Sequence, residues 1–184
     1  MADTASRYAI LRTVAKEFSS AFVSGSTPPS ELLAEYFVAE DPRIIEHGPE
    51  WAQKRLPFVG RLFRGRRSST LTTNGANTAP SNTATCDDYF DLLGATVALH
   101  AHADTLPEYN AYVVDPNSLH SPDHGPGAVL VKCHAALSSV HTKRTWEEHF
   151  VFVLSGFDAG GKIGQLEIWA DNLNAWAAVG GEDL

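Results

Sequence analysis

Three side chains in this sequence have the type and spacing for acid-base chemistry. His47 ends the run "RIIEHGP", and an imidazole with an unperturbed pKa of about 6.5 transfers protons near neutrality. In "LEIWAD", strand alternation puts Glu167, Trp169 and Asp171 on one face and Leu166, Ile168 and Ala170 on the other, with Asp171 closing the strand. In "WEEHFVFVL", Trp146, Glu148, Phe150 and Phe152 share one face and Glu147, His149, Val151 and Val153 the other. Glu148 lies among aromatic residues and is the pocket candidate; His149 is a candidate for a subunit contact. The structural alternatives are plain: a histidine that merely ends a strand, and an aspartate that merely turns the chain.

A site for a small apolar molecule needs aromatic walls and a few placed polar groups. Tyr36, Trp51, Phe58, Phe63, Tyr89, Tyr112, Trp146, Phe150 and Trp169, with Phe90, supply the aromatics; packing of an ordinary core is the competing role for each. No phosphate-cradling glycine loop, Gly-x-Ser-x-Gly elbow or dinucleotide fingerprint occurs.

The elements that must position these residues follow from periodicity. Tyr8, Leu11, Val14, Ala15, Phe18 and Phe22 recur at spacings of three and four before Gly25, which predicts an amphipathic helix over Thr4–Val23. A shorter helix capped by Thr27 follows, reaching Ala39, and then a first strand at "RIIEHGP". The segment "EWAQKRLPFVGRLF" reads as a loop or helical turn over apolar surface. Residues 64–85 are rich in Ser, Thr, Asn and Gly and read as a flexible, exposed polar insertion, with a pocket lid as the alternative. Thr85 caps a third helix, "CDDYFDLLGATV", whose Asp87 and Asp88 suit the positive end of the helix dipole. Five strand-like runs close the chain: "VALHAHAD", "NAYVVD", "AVLVKCHAALSSV", "TWEEHFVFVLSG" and "KIGQLEIWAD", the last two joined by the hairpin signal "FDAGGK". Three helices followed by antiparallel strands predict one α+β domain over residues 1–184, with helices on one face of a bent sheet.

Composition excludes other classes. With 184 residues and 43% hydrophobic residues, the chain can bury a core of its own. A net charge of -8 repels nucleic acid and anionic lipid, and the short cluster Arg61, Arg64, Arg66 and Arg67 does not reverse it. No apolar run approaches the roughly 20 residues of a membrane span. Two distant cysteines, Cys86 and Cys133, and the lack of a signal-peptide pattern imply free thiols and a cytoplasmic location.

The order of elements, with "LLAEYFVAEDPRIIEHGP", "LPFVGRLFRG" and "WEEHFVFVLSGFDAGGKIGQLEIWAD", resembles the nuclear transport factor 2-like superfamily and its SnoaL-like branch of small cyclases, isomerases and dehydratases. The resemblance implies a strongly curved sheet wrapped around the helices as a cone, an apolar cavity at one end, and a homodimer. It also implies catalysis without metal or organic cofactor on a hydrophobic, polyketide- or terpenoid-like molecule. His47 stands where the ketosteroid isomerases place a carboxylate base, and Asp171 matches an acidic position of SnoaL-like enzymes. His47, Asp171 and Glu148 are therefore the expected catalytic set, with His47 and Asp171 facing a common cavity. Many members of the superfamily bind or scaffold without catalysis, which leaves a non-catalytic carrier as the alternative. A third reading rests on His100-x-His102 with Glu108, which is similar to the first motif of metal-binding cupins. The glutamate comes too late and no second histidine motif follows, so no metal is expected.

Overall fold

The computed structural model describes residues 4–67, 84–100, 106–118 and 125–181. Helix α1 (Thr4–Ser24) buries Leu11, Ala15, Phe18 and Phe22, the stripe expected from the spacing. It stops at Gly25, whose φ of 61° lies in the left-handed region that glycine enters without strain. Helix α2 (Pro29–Tyr36) begins after Pro28 with no side-chain cap, so Thr27 does not play the role expected of it. Strand β1 (Arg43–His47), a 3₁₀ turn (Glu50–Lys54) and strand β2 (Leu62–Arg64) follow. The turn lies over apolar surface as expected, with Ala52, Leu56, Phe58 and Val59 buried.

Helix α3 (Cys86–Thr96) opens with a capping box: the Thr85 side chain accepts the Asp88 N–H, and the Asp88 carboxylate accepts the Thr85 N–H at 2.7 Å. Strands β3 (Val97–His100), β4 (Tyr112–Asp115), β5 (Ala128–Ser139), β6 (Thr145–Ser155) and β7 (Gln165–Ala170) lie within the five predicted runs. They form one sheet in the order β2-β1-β7-β6-β5-β3, with β4 paired to the other half of the long strand β5. The class is α+β. The insertion proposed at 64–85, and its role as a lid, fall mostly outside the described residues.

Two features depart from expectation. Strand β1 runs parallel to β7, whereas the other strand pairs among the described residues are antiparallel. No hairpin joins β1 to β7, so nothing local dictates their relative direction. A fourth helix, α4 (Asn172–Gly180), follows β7; Asp171, read from sequence as a strand end, is its N-cap and accepts the Leu173 N–H at 3.0 Å. Gly181, at φ 78°, ends it.

Phe18 and Phe22 of α1 meet Phe152 of β6 at ring-centroid distances of 5.7 and 5.1 Å, joining helix and sheet in the centre of the core. Strand β6 alternates as predicted, with Trp146, Glu148, Phe150 and Phe152 facing inward. No helix among the described residues is long and apolar enough to cross a membrane.

Candidate active site

Strand β1 can turn only one of two neighbouring residues inward. Ile44 is fully buried, which sets the inward parity and carries Glu46 inside with it; Arg43, Ile45 and His47 face the other way. Glu46 is 8% exposed. Its Oε2 accepts the Tyr89 hydroxyl at 2.8 Å, and Oε1 has no hydrogen bond among the described residues. Helix α3 delivers Tyr89, whose ring is fixed edge-on by Phe58, Phe63 and Phe90 at 6.1, 5.4 and 5.3 Å.

Burial pushes the Glu46 pKa up to about 7; the Tyr89 hydrogen bond opposes this, and the Glu148 charge adds to it. Burial, with the adjacent Glu46, likewise raises the Tyr89 phenol well above its ordinary value. Glu148 is 5% exposed. Trp146 Nε1 donates to its Oε2 at 3.2 Å and the Asp171 N–H to its Oε1 at 3.1 Å. Its pKa is raised chiefly by burial, against the pull of those two donors.

Glu46, Tyr89, Trp146 and Glu148 line one pocket together with Phe22, Phe58, Phe150 and Phe152. Leu99, Asp171 and Ala175, which are less buried, border it. Its volume is about 60 Å³, small beside the several hundred Å³ of a typical drug-sized site. A space of that size admits a small molecule or one end of a larger one.

The expected site residues divide. Glu148, Phe58, Tyr89, Trp146 and Phe150 line the pocket. Tyr36, Phe63 and Tyr112 are core residues: Tyr36 packs edge-on against Phe18, Phe63 supports Tyr89, and the Tyr112 hydroxyl lies 3.2 Å from Ser19 Oγ. Trp51 is 51% exposed and meets Trp176 edge-on. His47 and Asp171 do not share an interior. The His47 ring faces away from the pocket, 2.8 Å from Glu167 Oε2 and stacked on Trp169 at 3.9 Å, because β1 and β7 pair His47 with Trp169 on the outer face. Trp169 is accordingly 53% exposed. Asp171 borders the pocket, but its carboxylate caps α4 and only its N–H reaches Glu148.

Glu46 was missed. The available signal was its spacing of two from Ile44, which makes it the inward residue whenever Ile44 belongs to the core. His100 is exposed and bonds Ser138 Oγ at 2.7 Å, and His102 lies outside the described residues. Among the described residues, no three His, Cys, Asp or Glu side chains are grouped to hold a metal ion.

A buried acid with a raised pKa has a sign in stability. Between about 4.5 and about 7 the folded chain binds the Glu46 proton more tightly than the unfolded chain does, so stability is highest below that window and falls as pH rises through it. The loss expected is about 3 kcal/mol. Denaturant unfolding at a series of pH values should show this decline in the native chain and a flatter profile in Glu46→Gln.

No protein-family model matches the sequence, and no curated protein matches it. Solved structures do share its fold. An NTF2-like protein from Burkholderia xenovorans aligns with a TM-score of 0.55 at 21% identity, covering 94% of this chain and 97% of that one. An NTF2-like protein of unknown function from Burkholderia pseudomallei aligns at 0.57 with 13% identity, covering 92% and 97%. A phenazine biosynthesis-related protein from Pseudomonas aeruginosa aligns at 0.54 with 14% identity, covering 99% and 92%.

Proposed function

With the NTF2-like fold as premise, we propose that this chain is a proton-transfer enzyme of the isomerase or cyclase type, acting on a hydrophobic small molecule with Glu46 as its general base. The observation that carries the reading is a buried carboxyl held by Tyr89 inside an aromatic pocket, with a pKa of about 7. A general base works best when its pKa lies near the operating pH, because it is then both ionised and basic enough to take a proton. Glu46 takes a proton from one carbon of the substrate and returns it to another, so the reaction is balanced without a redox partner. Tyr89 orients the carboxyl, and the phenyl walls keep water from quenching the intermediate.

The test is deuterium uptake from heavy water into a panel of small cyclic carbon acids, both β,γ-unsaturated ketones and cyclic iminium ions, followed by mass spectrometry. Uptake above the buffer rate for any member supports the proposal. If panel members bind but none exchanges, the chain is a carrier with this fold.

The outer face of the sheet supports a homodimer. Trp169, Leu130 and Val113 are exposed there in a continuous set of paired strands, and an antiparallel sheet with apolar residues on both faces is commonly covered on both. Light scattering at micromolar concentration is expected to give twice the chain mass, and Trp169→Lys to give the monomer; a native monomer overturns this. Two free, buried cysteines support a cytoplasmic setting.

A further inference from the structure

A count of donors and acceptors inside the pocket narrows what it can hold. Among the described residues that line it the titratable ones are Glu46, Tyr89, Glu148 and Asp171, with no Lys, Arg or His. Among the described lining residues the side-chain donors are engaged, save the second N–H of Asn172. Tyr89 Oη donates to Glu46, Trp146 Nε1 and the Asp171 N–H both donate to Glu148, and Asn172 Nδ2 donates to the His47 carbonyl at 2.7 Å. Glu148 accepts one N–H on each oxygen, and hydrogen bonds to the charged form favour that form, against the burial that raises its pKa. Among the described residues the pocket therefore offers two carboxylates as acceptors and, beyond one N–H of Asn172, no free side-chain donor with which to build an oxyanion hole.

A substrate whose proton is removed next to a neutral carbonyl develops negative charge on oxygen and needs such donors. A substrate whose proton is removed next to a cationic nitrogen does not, because its positive charge is discharged as the proton leaves. Aromatic faces and a desolvated carboxylate also favour a cation directly.

Resting on the proton-transfer reading above, we infer that the pocket takes the cationic nitrogen of a small hydrophobic amine or iminium compound, held by Glu148 and the aromatic walls. In the iminium case the step is balanced within the substrate and Glu46. The C–H bond beside the C=N⁺ breaks, its proton goes to the Glu46 carboxylate, its electron pair forms a C=C bond, and the C=N π pair moves to nitrogen. The product is a neutral enamine; where a C=C bond of the substrate is conjugated with it, the product is a dienamine, and return of the proton to its far carbon, with the nitrogen lone pair re-forming C=N⁺, completes an isomerisation. Carboxylates and phosphates are rejected at the inner end, where Glu46 and Glu148 would both repel them.

The experiment uses three probes of one ring size and different charge: benzylamine, benzyl alcohol and benzoate, titrated into the native chain at about pH 8, above the Glu46 value. Calorimetry or ligand-observed NMR is expected to rank them in that order, with benzylamine at least about tenfold tighter than benzyl alcohol. Glu148→Gln should lose the advantage of benzylamine over benzyl alcohol. Benzoate binding as well as benzylamine, equal binding of amine and alcohol, or no binding by any probe would overturn the inference. The native series alone decides the matter if Glu148→Gln does not fold. Binding order is read without turnover: a correct order with no deuterium exchange removes the catalytic reading and keeps the ligand class, and exchange into ketones with the wrong order does the reverse.

Discussion

Glu46→Gln is expected to cut deuterium exchange by on the order of 10²-fold or more, the usual scale for a lost general base. Glutamine has nearly the same shape and can still accept the Tyr89 hydroxyl through its carbonyl oxygen, so the pocket should persist while the proton acceptor is lost. The rate of the native chain should rise with pH through about 7 and level off, the profile of a base that must be ionised. That inflection should vanish in the variant. His47→Ala and Asp171→Asn are the discriminating controls. His47 lies on the far face of β1 with Glu167 and Trp169, and asparagine caps a helix about as well as aspartate does. Both variants should exchange at the native rate. A loss of exchange in His47→Ala with full retention in Glu46→Gln would return the base to the residue first suggested by the sequence.

Phe152→Ala is expected to destabilise the chain by about 3–5 kcal/mol, the scale for removing a large buried aromatic. Phe152 is fully buried, and Phe18, Phe22 and Phe150 pack on it at 5.7, 5.1 and 5.1 Å from three different positions on helix and sheet. Rings held from several sides cannot collapse into the space a missing one leaves, so most of the cavity cost remains. For a chain of this size the melting temperature should fall by about 10 °C or more, measured by circular dichroism. A loss below about 1 kcal/mol would show that the core around α1 and β6 repacks.

The parts of the fold that the sequence made legible are those set by local rules. Helix α1 follows from a single apolar stripe, and α3 from its Thr85 cap with Asp87 and Asp88 in the first turn. The inward face of β6 was readable because Trp146, Phe150 and Phe152 gather on one side of the alternation, opposite Glu147 and His149, and this placed Glu148 among the aromatics. What escaped depends on partners distant in the chain. The parallel pairing of β1 with β7 has no local signature. Helix α4 has only nine residues, "NLNAWAAVG", without a clear polar side, and its one strong signal, the Asp171 cap, doubles as a strand terminator. The site was half legible for the same reason. Ile44 and Ile45 are both apolar, so alternation alone does not tell whether Glu46 or His47 turns inward; the burial of Ile44 against the core does.

That ambiguity in β1 bears on how such a site changes over evolutionary time. Sliding β1 by one position along β7 would put Ile45 in the place of Ile44 and His47 in the place of Glu46, exchanging a carboxylate for an imidazole at the same depth. One isoleucine would replace another in the core, and Arg43 would turn toward the buried place of Pro42. A single-residue insertion or deletion in the turn before Arg43 is therefore a short route between two kinds of proton acceptor on one scaffold, and the outward-facing histidine beside Trp169 is already in place for it.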